Sequence, residues 1–344
     1  MRLILLWMTV LSSLPVSLRA ADLAPDGDRI DAAVRKSIAL IEHSGRVYRQ
    51  ERQCFSCHHQ ALPVLALTEV KSRGFTIDED EYHRQLEHTA KHLKRGYKSY
   101  VAGKGQGGRG DTAGYALWTL AAGNWPADEV TAAVAAYLAG KEPNLPQWNP
   151  PSTNRPPTAG SQFTSTALAI YSLQAYAAEE QSAAVETRLD KARDWLLTAN
   201  AENTEDQVFR LHSLSQLDVD ADQIDKLAQN LIRQQRDDGG WAQLREQNSD
   251  AYATGTVLVT LGQSGRLRPS DPAWQRGIRY LLETQQDDGS WHVVTRAAPI
   301  QKYFESGFPH GKDQFISMAA TCWSTMALAM ARDSPAPEEP PQAN

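Results

Sequence analysis

The residues best suited to chemistry stand together as Cys54-Phe55-Ser56-Cys57-His58-His59. Two thiols in CxxC spacing beside imidazoles can hold a metal or carry a thiol–disulfide couple. Zinc on Cys54, Cys57 and His58 or His59 needs a fourth ligand from elsewhere, because no second CxxC or paired His follows. The remaining cysteine, Cys322, lies in an apolar stretch. An odd count with such close spacing does not make a disulfide framework. Zinc and a local disulfide or thiol pair both stay open.

Other chemical-looking strings have plainer readings. The acidic run Asp218 to Asp222 suits a helix N-cap, and Asp78 to Glu81 opens a helix and complements its dipole. The Gly-rich Gly103 to Asp111 lacks the Lys-Ser/Thr and the preceding strand of a phosphate loop.

Cys54, Cys57 and His58 resemble the CxxCH attachment motif of the c-type cytochromes. The resemblance implies a covalent haem c, with thioethers from Cys54 and Cys57 and His58 as proximal ligand. It covers this segment alone.

The elements that must carry these groups are helical. From about Ile30 to Ala331 the periodicity is Ala-rich and helical, with no alternating strand pattern. It predicts an all-α chain of twelve helices in two sets. The outer set covers 29–43, 79–96, 127–139, 186–199, 221–235 and 271–286. The inner, more apolar set covers 60–73, 112–122, 162–177, 205–217, 250–262 and 315–331. Six such hairpins close into an α/α toroid spanning 28–332. Links from inner to outer helices are short, whereas several from outer to inner are long and irregular. All links of one kind share a rim, so the long ones mark the functional rim.

The chain has 344 residues, a net charge of −6 and 41% hydrophobic residues, enough for a large core and no argument for nucleic acid. Residues 1–20 read as a cleaved secretory signal, which predicts a periplasmic or secreted protein. No other stretch is apolar enough to span a bilayer, and 333–344 reads as a disordered tail.

The chain repeats itself. Lys226 to Trp241 and Arg276 to Trp291 align, matching Gln235 with Gln285, Gly239 with Gly289 and Trp241 with Trp291. Lys191 to Asn200 is a decayed copy without the Gly-x-Trp end. These stretches resemble the QW repeat of the squalene–hopene cyclase and protein prenyltransferase superfamily. The resemblance implies the toroid fold. It does not extend to catalysis: the DxDD of protonating cyclases and the DDxxD of diphosphate binding are absent, and Cys322 has no Asp before it to complete a prenyltransferase zinc site. An active terpene cyclase is therefore not expected. Tyr303, Phe304 and Ser306 to Pro309 resemble the aromatic segment after the last repeat of bacterial triterpene cyclases. They plug the ring near its end or, with Phe308 and Phe315, line an apolar ligand site.

Three functions follow. The first is an exported toroid with haem on its rim, serving electron transfer or redox sensing with a periplasmic redox partner. Its sixth iron ligand would come from His292 or His310 in the final rim loop, or from Met318. His59 is tethered too closely, and His212 sits across the ring. The alternative is a non-haem toroid binding or processing an apolar, terpenoid-like molecule in its central cavity. A polysaccharide-active enzyme is the third, for which Arg109, Arg155 and Arg245 are too scattered.

Overall fold

Most inner helices are rich in apolar residues because they touch neighbours on every side. A computed structural model describes residues 25–151, 154–299 and 302–332. The expected signal sequence and tail lie outside them. The outer helices are α1 (Gly27–Glu51), α3 (Glu79–Val101), α5 (Glu129–Gly140), α7 (Ser182–Thr198), α9 (Ala221–Arg233) and α11 (Pro272–Thr284). The inner ones are α2 (Leu62–Ser72), α4 (Arg109–Ala122), α6 (Gln162–Tyr176), α8 (Thr204–Leu214), α10 (Ala251–Gln263) and α12 (Gln314–Met330). Each inner helix packs on the next, and α12 returns to α2, so the inner ring is closed. Among the described residues there is no strand, only isolated antiparallel bridges such as Arg155 with Ala159. No helix among them is long and apolar enough to cross a membrane.

Small residues let the inner helices approach closely. A Cβ on Gly255 of α10 would lie 2.8 Å from the Ser324 backbone nitrogen of α12. Two outer helices run longer than their periodicity predicts. α1 continues to Glu51 because Arg46 and Arg49 reach the buried Glu81 of α3, with Arg49 Nη2 at 3.0 Å. Small Ser44 and Gly45 face inward on the same stretch. Neither feature looks apolar in sequence.

The repeat has a definite anatomy. The Trp241 and Trp291 indole N–H groups donate to the carbonyls of Leu231 (2.8 Å) and Leu281 (2.9 Å), in the last turns of outer helices. Their backbone N–H groups donate to Thr254 and Thr321 of the following inner helices, at 2.9 and 3.1 Å. Trp148 repeats the arrangement, with its indole on Leu138 O at 2.9 Å and its backbone N–H on Thr166 Oγ1 at 3.1 Å. The decayed copy makes no such turn; Trp195 packs on Phe163 instead.

The Gln and Gly of the repeat serve the neighbouring hairpin. Gln235 Nε2 donates to Gly239 O (2.8 Å) and to Ala273 O of α11 (2.7 Å). Gln285 Nε2 donates to Gly289 O (3.1 Å) and to Ala33 O of α1 (3.0 Å), closing the outer ring. Gly289 has φ of +88°, and a Cβ there would come within 2.7 Å of the Lys36 backbone. Only glycine satisfies both demands.

Candidate functional site

The outer-to-inner loops meet over the N-terminal ends of the inner helices. Between α1 and α2 the chain makes a single π turn, Cys57–Ala61, capped by the Ser56 hydroxyl. Gln60 N and Ala61 N both donate to Ser56 O, and Leu62 N closes the wide turn on Cys57 O. The wider turn sends successive side chains His58 and His59 inward, and both are buried. Pro63 then starts α2 in the position where its missing N–H is harmless.

The two imidazoles touch, Nδ1 to Nδ1 at 2.6 Å, so one donates and the other accepts. His58 stacks on Phe315 at 4.3 Å and His59 on Tyr48 at 5.1 Å. Burial keeps both neutral. It holds His58 well below the ordinary imidazole range, with help from His59 and Arg155, and pushes His59 down to about 3.

A cavity of about 230 Å³ opens beside this turn. Cys54, Cys57 and His58 line one wall, Asp111 and Tyr115 of α4 a second, and Arg155 of the loop after α5 a third. Asp111 sits in the first turn of α4. Its Oδ1 accepts from Ser165 Oγ at 2.6 Å, while its buried Oδ2 has no hydrogen-bond partner. Burial pushes its carboxyl up to about 7, against the Ser165 bond and Lys141. Burial also raises the Cys57 thiol; Arg155 lowers it and Asp111 raises it. Both charges thus act on one sulfur.

Deeper in the ring a second acid lies at the start of α8. Glu205 accepts from Thr164 Oγ1 at 2.9 Å and from Tyr252 OH at 3.0 Å. Burial pushes it up to about 8. Glu205 and Asp111 both bear on the buried Tyr115 hydroxyl, which donates to Thr158 O at 3.1 Å.

The residues singled out in the sequence are brought together only in part. His292 and His310 stack on each other at 4.7 Å. They are held by Asp313 (2.9 Å) and Ser290 (2.7 Å) respectively, away from His58. Met318 is fully buried in α12. Among the described residues no three His, Cys, Asp or Glu side chains gather as a metal site, and all three cysteines are free thiols. The motif's thiols and His58 do share one cavity, as a haem requires. That space, about 230 Å³, lies below the roughly 300–1,000 Å³ of drug-sized pockets. The ring nitrogens of His58 lie 2.9 and 3.2 Å from the Ser56 hydroxyl. The four aromatics are divided: Tyr303 is exposed and bonded to Glu305, Phe304 lies under Arg52, Phe308 is buried, and Phe315 supports His58. The Phe304 and Phe315 rings lie 6.1 Å apart, and the walls of the 230 Å³ cavity come from other residues.

Sequence reasoning missed Asp111, Tyr115, Glu205 and Tyr252. For Asp111 a signal was available: a carboxylate in the first turn of a helix as apolar as α4.

Comparison with known proteins agrees with this architecture. Residues 204–333 match the family model described as the squalene-hopene cyclase C-terminal domain. The fold is the terpene cyclase α/α toroid. The type II terpene cyclase MstE from Scytonema superposes with TM-score 0.56 at 16% identity, over 89% of this chain and 98% of that one. A variant of it in complex with its substrate, geranylgeranyl dihydroxybenzoate, gives TM-score 0.56 at 14% identity, over 89% and 99%. The complex with its product, merosterolic acid A, gives 0.55 at 14%, over 89% and 99%. At these identities the likeness is one of fold. No curated protein sequence matches the chain.

Proposed function

We propose that the protein binds a small, largely apolar, terpenoid-like molecule at the mouth of its ring and moves a proton to or from it, with Asp111 as the proton carrier. The observation behind this is the Asp111 carboxyl: one oxygen is fixed by Ser165 and the other is buried without a partner, in a residue that lines the cavity. A carboxyl pushed up to about 7 exists in both protonation states near neutrality, as a general acid–base requires. It is too weak an acid to protonate an isolated alkene. Chemistry beside an oxygen function, such as shifting a conjugated double bond, suits it better. A cavity of about 230 Å³ is small beside drug-sized pockets, so ten-carbon terpenoids are fitting probes.

The test is to incubate the purified protein in D₂O with ten-carbon terpenoid alcohols, aldehydes and acids, and to read deuterium incorporation by mass spectrometry. Incorporation that Asp111→Asn abolishes while leaving ligand binding intact supports the reading. Incorporation indifferent to Asp111, or none with any ligand that binds, defeats it.

A further inference from the structure

Arg155 stands on a support that a solvated loop arginine does not need. Its backbone is pinned by a reciprocal pair with Ala159, N–H to carbonyl at 2.9 Å in both directions. The same short hairpin is tied to α4 by Tyr115 OH on Thr158 O at 3.1 Å. The guanidinium, partly buried, lies over the Phe315 ring at 5.5 Å from its centroid. Phe315 is itself fixed by stacking on His58. No ion pair engages Arg155 among the described residues, although the charged side chains of α1 and α3 nearby are paired with each other.

The groups facing this guanidinium across the cavity are the Cys57 thiol, His58, the Tyr115 hydroxyl and the Asp111 carboxyl. Burial favours the neutral form of every one of them. An arginine at the wall of a small cavity, pre-positioned over an aromatic ring and outside every ion pair among the described residues, holds a positive charge that a bound anion can answer. A planar anion supplies the missing partner, and a bidentate carboxylate matches the guanidinium fork.

We propose that Arg155 selects for a carboxylate on the ligand, orienting an apolar acid with its anionic end on Arg155 and its body against Asp111 and Tyr115. This rests on reading the mouth cavity as a ligand site and adds the head group. It also gives the two charged walls separate tasks: Arg155 anchors, and Asp111 exchanges the proton.

The experiment compares two probes of nearly equal shape, geranate and its neutral amide, by isothermal titration calorimetry at pH 7. A charge-assisted pair predicts that geranate binds about tenfold or more tighter than the amide. Arg155→Gln is expected to bring the two affinities together by weakening geranate alone. Arg155→Lys retains the charge without the fork and should keep part of the preference. Unchanged circular dichroism and melting temperature establish that the variants fold. Equal affinity of the wild type for acid and amide overturns the carboxylate assignment while leaving the cavity a ligand site. So does an Arg155→Gln variant that weakens both alike. If neither probe binds, the assignment and the ligand reading fall together.

Discussion

Trp148 donates its indole N–H to the Leu138 carbonyl at 2.9 Å, ten residues back, as Trp241 does to Leu231 and Trp291 to Leu281. The Trp148 copy carries no Gly-x-Trp ending, and its rim loop is rich in proline. What persists is a bulky indole with one donor, placed to cover an outer-helix end and bond a last-turn carbonyl. Arg188 lies 3.7 Å above the Trp148 ring and donates to Pro146 O, so the neighbouring outer helix seals it.

Equivalent tryptophans should be equally costly to lose. Trp148→Ala and Trp291→Ala are each expected to reduce stability by roughly 3–5 kcal/mol. Urea unfolding checks this. A Trp148→Ala loss below about 1 kcal/mol would show that the shared geometry carries little of the shared stability.

Glu81 is buried between Arg46, Arg49 and Arg84, and it also accepts from Gln85 at 2.6 Å. Removing it leaves arginines facing one another without their partner. Glu81→Ala is expected to cost about 3–5 kcal/mol, as for breaking other buried pairs. Thermal unfolding of Glu81→Ala beside Arg46→Ala, whose arginine is substantially exposed, should show the larger loss for Glu81.

Stability should fall on both sides of a mildly acidic optimum. Asp111 and Glu205 rise on folding to about 7 and about 8, so the folded protein keeps protons that the unfolded chain has lost. Their contribution is present below the ordinary carboxylate range and disappears as pH rises through those values. His59, His92 and His212 are lowered by burial to about 3, 4 and 4, so theirs is present above 6.5 and is lost as pH falls. Chemical denaturation from pH 6.5 to about 8 should show declining stability, flattened in the Asp111→Asn/Glu205→Gln double variant. An undiminished slope in that variant would assign the decline elsewhere.

Squalene is not expected to cyclise on this protein, because the DxDD acid cluster of protonating cyclases is absent from the chain. Incubating purified protein with squalene checks this by mass spectrometry, and cyclised product that is lost on changing one Asp would contradict it.

The ring was readable in the sequence because its information is periodic. Each predicted helix falls on an observed one, and the inner helices are more apolar than the outer ones except at α5 and α8. Helix ends were less legible where Ser44, Gly45 and Glu81 bury without being apolar. The rim was read correctly as the place where Cys54, Cys57 and His58 gather, but not which groups would join them. Asp111 and Arg155 lie on successive hairpins, and the packing of α4 on α6 makes them neighbours. The pairing of His292 with Asp313, and of His310 with Ser290, likewise depends on loop geometry that no local pattern encodes.

The two ends of the described chain meet. Arg332 Nε stands 2.9 Å from Asp31 Oδ1, and Gln285 of the last outer helix is fastened to Ala33 of the first. An open stack of repeats can fray one unit at a time from either end. A hoop cannot, because detaching the first hairpin also uncovers the last. Unfolding should therefore be all-or-none despite the repetition, and folding should wait on a closure spanning some 250 residues, a costly long-range contact. By the same logic the position of the natural termini is arbitrary. A permuted chain that joins 332 to 27 through a short linker and opens at the 218–220 link would keep every helix beside its present neighbours.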